Sequence, residues 1–243
     1  MNVWGLTDVG LVRKENQDAY HFCRVHDYTV CVVCDGMGGA AGGQIASGIA
    51  VETFITELKK VLSENMSPEQ IREASSYAVS LANKAIRDAA EKNEAYHNMG
   101  TTLVAAVTCG DKVVVSNVGD SRAYHISESG IVRITKDHSL VESMVDRGDI
   151  TEEEARHHPN RNLITRALGP DSGALCDGYI HSLANGEYVL LCTDGLVDTV
   201  TDQEMLFEVI HGGAAETCLD RLLEISKKQG ARDNVTAVLL QKL

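Results

Sequence analysis

Proline is scarce, with 3 residues in 243, and the 21 glycines follow no repeat, so the chain is neither proline-rich nor collagen-like. Long apolar runs are missing: no segment approaches the roughly 20 apolar residues of a membrane span. The amino terminus, MNVWGLTDVGLVRK, holds no long apolar stretch and no cleavage site. Positive charge is in deficit, with 22 Lys+Arg against 35 Asp+Glu and a formal net charge of −13. Non-specific nucleic-acid binding and attraction to anionic lipid both need clustered positive charge, so neither nucleic acid nor membrane is an expected partner. No run of like charge marks a disordered tail. The 7 cysteines are odd in number, and several lie in apolar runs (VCVVC, LLC), where a reduced thiol acts as a small core hydrophobe. A soluble, reducing, cytoplasmic setting is the expectation.

What is present is ordinary globular composition, 44% hydrophobic and 23% charged, at a length that can bury a sizeable core. No linker divides the chain, so one domain over 1–243 is expected. Short β-rich runs come first, at Asn2–Thr7, Ala19–Arg24 and Tyr28–Cys34. Two long helices follow, about Ala41–Leu62 and Pro68–Glu94. Ile45, Ile49, Phe54 and Leu58 recur at helical spacing in the first. Ser67 before Pro68 suits the N-terminus of the second. Strands return at Thr101–Cys109, Lys112–Val118, Arg122–Ile126 and Ile131–Ile134, with Gly110-Asp111 and Ser129-Gly130 as hairpin turns. Leu140 to Pro170 reads as short helices and loop, Thr151 and Glu154 forming a capping box. Strands recur at Ala174–Ser182 and Tyr188–Cys192. Two helices follow, opened by a Thr201/Glu204 box, and a last strand runs from Val235 to about Leu240. Consecutive hairpins with helices in pairs indicate an α+β arrangement of antiparallel sheet.

Three apolar runs each end in Asp and a small residue: VCVVCDG at Asp35, VVVSNVGDS at Asp120 and YVLLCTDG at Asp194. Two more aspartates stand at strand starts, NQDAY at Asp18 and ARDNVTAV at Asp233. Strand ends deliver side chains to a sheet rim with little backbone freedom. Carboxylates converging on one rim make a cage of hard oxygens that suits Mg²⁺ or Mn²⁺. Each Asp-Gly taken alone reads first as a turn. Asp35-Gly36 and Asp194-Gly195, however, lead into a loop and helix rather than a pairing strand, and few basic residues lie near to neutralise a buried carboxylate. Spacing alone leaves turn and metal site both open.

The loop GMGGAAGG after Asp35 matches G-x-G-x-x-A, the dinucleotide fingerprint. The chain then enters another helix and not a second parallel strand, so the βαβ unit is missing. The Walker pattern fails for want of a Gly-Lys-Ser/Thr. The glycines instead let the backbone approach a ligand, with the Gly36 carbonyl available to a metal. Arg13 alone is a surface arginine; beside a metal cage its guanidinium would match two phosphate oxygens. Cys31 and Cys34, three apart on a strand, face opposite sides and share no zinc. No G-x-S-x-G elbow supports a serine hydrolase.

Together these segments resemble the metal-dependent Ser/Thr protein phosphatases of the PPM (type 2C) family in its compact bacterial form. TDVGLVRKENQDAY, VCDGMGGAAGG, MGTTLVAAV, NVGDSRAY, ITKDHSLVESMVDRGDIT, HPNRNLITRALG, LLCTDGLVDTVTD and GARDNVTAVLL occur in family order from end to end. The resemblance implies an αββα sandwich, two central antiparallel sheets flanked by helix pairs. It implies Asp35, Asp194 and Asp233 as core ligands of two Mn²⁺ or Mg²⁺ ions, with the Gly36 carbonyl as a further ligand. Asp18 is implied as a ligand or a holder of metal-bound water, and Asp120 with Asp194 as a third, weaker site. Arg13 matches the phosphate-binding arginine, and Asn234 the family's DN pair, in a supporting role. About 139–172 corresponds to the flap beside the active site.

Three positions depart from the pattern. Gln17 stands where animal members have an acidic ligand, Met37 where they have the histidine proposed as general acid, and Ala40 where many bacterial members have histidine. The implied reaction is hydrolysis of phosphoserine or phosphothreonine by a metal-bridging hydroxide, with no covalent phosphoenzyme. The implied setting is a monomer acting on phosphorylated proteins and opposing a bacterial Ser/Thr kinase. A silent phosphoprotein-binding module on the same fold would be marked by loss of a metal aspartate or of Arg13, and all are present. A phosphohydrolase of small phosphate esters is the other alternative, since fold does not fix function.

Overall fold

A computed structural model describes residues 1–170 and 172–243, the side chains of Ala40 and Ala41 apart. The departure noted at Ala40 therefore lies outside the described side chains. In chain order the elements are β1 (Asn2–Asp8), β2 (Asp18–Val25), β3 (Tyr28–Met37), α1 (Gly39–Val61) and α2 (Pro68–Lys92). Then come β4 (Gly100–Thr101), β5 (Leu103–Cys109), β6 (Lys112–Val118), β7 (Arg122–Ser127) and β8 (Gly130–Arg133). The remainder is α3 (Leu140–Asp146), α4 (Glu152–Arg156), β9 (Asp177–Ser182), β10 (Tyr188–Cys192), α5 (Asp194–Val197), α6 (Asp202–Ile210), α7 (Cys218–Lys228) and β11 (Val235–Gln241). Ser67, Thr151 and Thr201 each close a full capping box, with Gln70, Glu154 and Glu204 returning the bond.

The strands form two antiparallel sheets, a five-stranded one ordered β1-β11-β10-β7-β8 and a six-stranded one ordered β2-β3-β5-β6-β9 with β4 on β3. Helices α1 and α2 cover the outer face of the larger sheet, where Phe54, Leu58, Ile71 and Ile86 pack against Val30, Val32 and Cys34. Helices α6 and α7 cover the smaller sheet, where Met205, Val209, Leu219 and Leu222 meet Leu190, Cys192 and Leu239. The expected αββα sandwich is the fold. Cys31 and Cys34 do face opposite ways: Cys31 joins the layer between the sheets and Cys34 the helix-covered face.

Strand limits differ from the sequence reading at several ends, the expected Ala174–Ser182 strand beginning only at Asp177, and two differences bear on the site. Strand β3 runs beyond Cys34 to Met37, because Gly36 and Met37 pair with Thr101 and Gly100. The expected Thr101–Cys109 strand is broken at Thr102, whose amide donates to the Asp35 carbonyl at 2.9 Å and whose hydroxyl accepts from the Asp35 amide at 2.9 Å.

The layer between the sheets positions the site. Its apolar part contains Cys31, Val33, Val104, Ala106, Val189, Leu191, Val238 and Leu240. Strand side chains alternate with period two. The same faces therefore continue, at one end, to Asp35 on β3, Thr102 before β5, Thr193 after β10, and Thr236 and Asn234 on and before β11. One interface is thus oily through most of its length and polar at one rim.

Candidate metal centre

Asp18 on β2 and Asp35 on β3 are direct register partners in an antiparallel pair, so their side chains share a face. Asp194 begins α5, immediately after β10. Asp120 follows β6 in a turn whose Gly119 has φ +104°, and Asp233 directly precedes β11. Asp18, Asp35, Asp120 and Asp194 sense one another across this rim.

Burial, added to by the neighbouring carboxylates, raises all four above the usual carboxylate range. Asp18 is pushed up to about 7, Asp120 to about 8 and Asp194 to about 6. Asp35 rises well above its ordinary value, chiefly through burial and then through Asp194, Asp18 and Asp120. Asp35 and Asp194 act on each other in opposite senses, Asp194 adding to the rise at Asp35 and Asp35 partly offsetting the rise at Asp194. The Asp198 carboxylate, next after burial, adds to the rise at Asp194.

Hydroxyl groups hold this arrangement. The Thr193 hydroxyl donates to Asp18 Oδ2 at 3.0 Å and accepts from the Thr236 amide at 3.1 Å, tying β10, β11 and β2 together. The Thr101 hydroxyl donates to the Asp35 carbonyl at 2.8 Å, and the Thr102 and Ser121 hydroxyls meet at 2.7 Å. Ser121 adjoins Asp120, so the turn bearing Asp120 is joined to the residue that fixes the Asp35 backbone.

Arg13 lies at the edge, with Nη2 donating to Asp233 Oδ2 at 2.6 Å. Its loop is held by Asn234. The Asn234 Oδ1 accepts from the Gln17 amide at 2.8 Å, while Nδ2 donates to the carbonyls of Val9 and Glu15, each at 3.0 Å. Asn234 is thus a clamp on the segment carrying Arg13. Gln17 turns away from the aspartates, its Nε2 donating to the Gly39 carbonyl at 2.8 Å. Gly36 has no room for a side chain: a Cβ there would sit 2.1 Å from the Gly43 carbonyl oxygen.

The donor set fits a divalent cation. Asp194 Oδ1 is buried without a hydrogen-bond partner, and an orphaned carboxylate oxygen is costly unless something cationic faces it. Arg13 bonds Asp233, and the nearby Arg122 is committed to Asp137 by bonds of 2.7–3.1 Å. All candidate ligand atoms are oxygens, the preference of Mg²⁺ and Mn²⁺. Among the described residues, no three His, Cys, Asp or Glu side chains are drawn into a closed cage.

Every aspartate singled out in the sequence lies at this rim or next to it. The sequence reading missed Thr193, Thr236, Thr102, Ser121 and Asp198. A polar residue at the end of an alternating apolar face, as in LLCT before Asp194, is the signal that could have found Thr193. Met37 lies on β3 beside Gly36, and a methionine supplies no acid.

Known proteins resemble this chain over nearly its whole length. The Serine/threonine phosphatase stp of Listeria monocytogenes is 32% identical over 97% of this chain and 94% of its own. Stp1 from Staphylococcus aureus, a serine/threonine phosphatase of known crystal structure, superposes with TM-score 0.93 at 34% identity, covering 99% of this chain and 94% of that one. The catalytic domain of the serine/threonine phosphatase PstP, solved with 2 manganese ions, superposes with TM-score 0.84 at 30% identity over 98% and 96% of the two chains. The family profile described as Protein phosphatase 2C matches residues 12–240, and with the aspartates in place at the rim of the αββα sandwich the chain belongs to that family.

Proposed function

We propose that this chain is a metal-dependent protein phosphatase that hydrolyses phosphoserine and phosphothreonine in other proteins. The observation that carries the reading is the convergence of Asp18, Asp35, Asp120 and Asp194 on one rim, with a buried Asp194 oxygen left unpaired. Asp35, Asp194, Asp233, Asp18 and the Gly36 carbonyl would hold two Mn²⁺ or Mg²⁺ ions, and Asp120 with Asp194 a third, weaker one. Such ions supply the charge that offsets the carboxylates, attracts a phosphate dianion to an acidic protein and acidifies water at the site.

The chain's own residues do the rest. Arg13, half-exposed and paired to Asp233, exchanges that partner for two phosphoryl oxygens, which its planar fork matches. Asn234 keeps the Arg13 segment in place while the exchange occurs. Thr193 orients Asp18 through its hydroxyl, and Thr101 and Thr102 hold the Asp35 backbone so that its carboxylate needs no reorganisation. The 139–172 segment, with α3 and α4, is the flap in this reading, and its Arg161 reaches Asp198, the residue that follows α5, at 3.4 Å.

We assign the protein a cytoplasmic location, a monomeric state and a cognate Ser/Thr kinase as the source of its substrates. No described helix is long and apolar enough to cross a membrane. The test is phosphate release from a phosphothreonine peptide with Mn²⁺, with excess EDTA, and with Asp194→Asn. Release that needs Mn²⁺ and is lost in the other two arms is expected. Well-folded protein without Mn²⁺-dependent release would overturn the reading and direct attention to small phosphate esters.

A further inference from the structure

His138 lies outside the aspartate set, yet it grips the turn that carries Asp120. The ring is buried, 8% exposed. The Gly119 amide donates to His138 Nδ1 at 3.0 Å, and the His138 amide donates back to the Gly119 carbonyl at 2.9 Å. His138 therefore holds both backbone groups of Gly119, whose carbonyl also accepts from Asn117 Nδ2 at 3.3 Å. Gly119 has φ +104°, a region closed to side chains, and a Cβ there would lie 2.6 Å from Thr102 Cγ2. Only glycine suits this turn, and because glycine is itself free to adopt other conformations, the bonds to His138 hold the one seen.

The ring is itself fixed from behind. Because Nδ1 accepts, the neutral ring carries its proton on Nε2, which faces Asp177 Oδ2 at 3.2 Å. Arg166 Nη1 lies 3.0 Å from the same Nε2 and holds that aspartate, donating to Asp177 Oδ1 at 2.7 Å and to the Leu175 carbonyl at 3.1 Å. The His138 carbonyl accepts from the Thr165 amide at 2.7 Å, and Ser139 bridges to Ile164. The base of the 139–172 segment is therefore anchored to the same residue that holds the Asp120 turn.

We propose that His138 is a positioning residue for Asp120: its Nδ1 acceptor locks the Gly119-Asp120 turn in the geometry that makes Asp120 a ligand of the weaker divalent-cation site. The inference rests on the metal-site reading above. Groups that hold a metal ligand from behind govern its orientation, and their loss costs about 10–100-fold in metal affinity.

Two substitutions that keep a polar side chain test it. In His138→Asn the side-chain oxygen can stand where Nδ1 stands, whereas in His138→Gln the amide reaches the Nε2 position and leaves Gly119 without its acceptor. Calorimetric Mn²⁺ titrations would be run on the unaltered protein, both variants and Asp120→Asn, with hydrogen exchange read at the Gly119 amide. H138Q is expected to speed Gly119 exchange by about tenfold or more, the loss of roughly one hydrogen bond. It should also weaken the same Mn²⁺ phase that Asp120→Asn weakens, leaving the tighter phase alone, while H138N stays within about threefold of the unaltered protein on both measures. Unchanged Gly119 exchange in H138Q, equal weakening of every Mn²⁺ phase, or H138N behaving as H138Q would each overturn the proposal. If the unaltered protein takes up no Mn²⁺, the metal-site reading falls, while exchange at Gly119 still decides whether the ring holds the turn.

Discussion

Asp18 and Asp35 stand directly opposite each other on adjacent antiparallel strands, the pairing in which like charges are least tolerated. Burial and this crowding raise the acids, with Asp18 near 7, Asp120 near 8 and Asp194 near 6. A carboxyl whose folded pKa is raised binds more protons folded than unfolded between the two values, so stability falls as pH rises through that window. In EDTA, the melting temperature is expected to fall from about pH 4 to about pH 8. Adding Mn²⁺ should raise it most at the alkaline end, where the ligands are already ionised. A flat metal-free profile, or a larger Mn²⁺ shift at pH 5 than at pH 8, would contradict the cluster's electrostatics.

Asp194→Asn separates stability from activity. The substitution removes one charge from the cluster, so the metal-free protein at pH 8 should melt a few degrees higher; about 1 kcal/mol moves the midpoint by 2–4 °C in a chain of this size. Mn²⁺-dependent phosphate release should drop by on the order of a hundredfold or more. Calorimetry and a phosphopeptide assay on the same preparation check both.

Arg13→Ala should do the reverse. The pair with Asp233 is open to solvent, the two side chains being 55% and 36% exposed, so its loss should change stability by less than about 1 kcal/mol. Phosphopeptide kcat/KM should fall about 10–100-fold through the lost charged hydrogen bonds. Arg13→Lys should recover little of it, since an ammonium cannot match two oxygens in one plane.

Asn234→Ala strips partners from the Gln17 amide and from the Val9 and Glu15 carbonyls at once. Urea denaturation should show a loss of about 2–4 kcal/mol. Asn234→Asp should not restore it, because a carboxylate cannot donate to two carbonyls.

The elements and the aspartates were legible in the sequence for the same reason: each aspartate ends or begins a run whose β character is plain. The capping boxes at Ser67, Thr151 and Thr201 are local chemistry and read directly. What stayed hidden is cross-chain. Thr193 and Asp18 are 175 residues apart and Arg13 and Asp233 are 220 apart, and no local pattern states such a pairing. Strand β3 looked finished at Cys34 because its last partner, Gly100–Thr101, is a two-residue strand from another segment. Asn234 read as a supporting residue, but only the folded loop reveals that its amide is spent on backbone rather than on solvent.

Strand β11 lies between β1 and β10 in the smaller sheet, bonded to both along its length. It brings Thr236 to Thr193, and Asp233 and Asn234 to the Arg13 segment. During synthesis it is the latest of the strands to emerge, and until it inserts, β1 has no neighbour in its sheet and the rim lacks one wall. The wall that carries Asp233 and Asn234 is thus completed by the filling of a central gap and not by accretion at an edge.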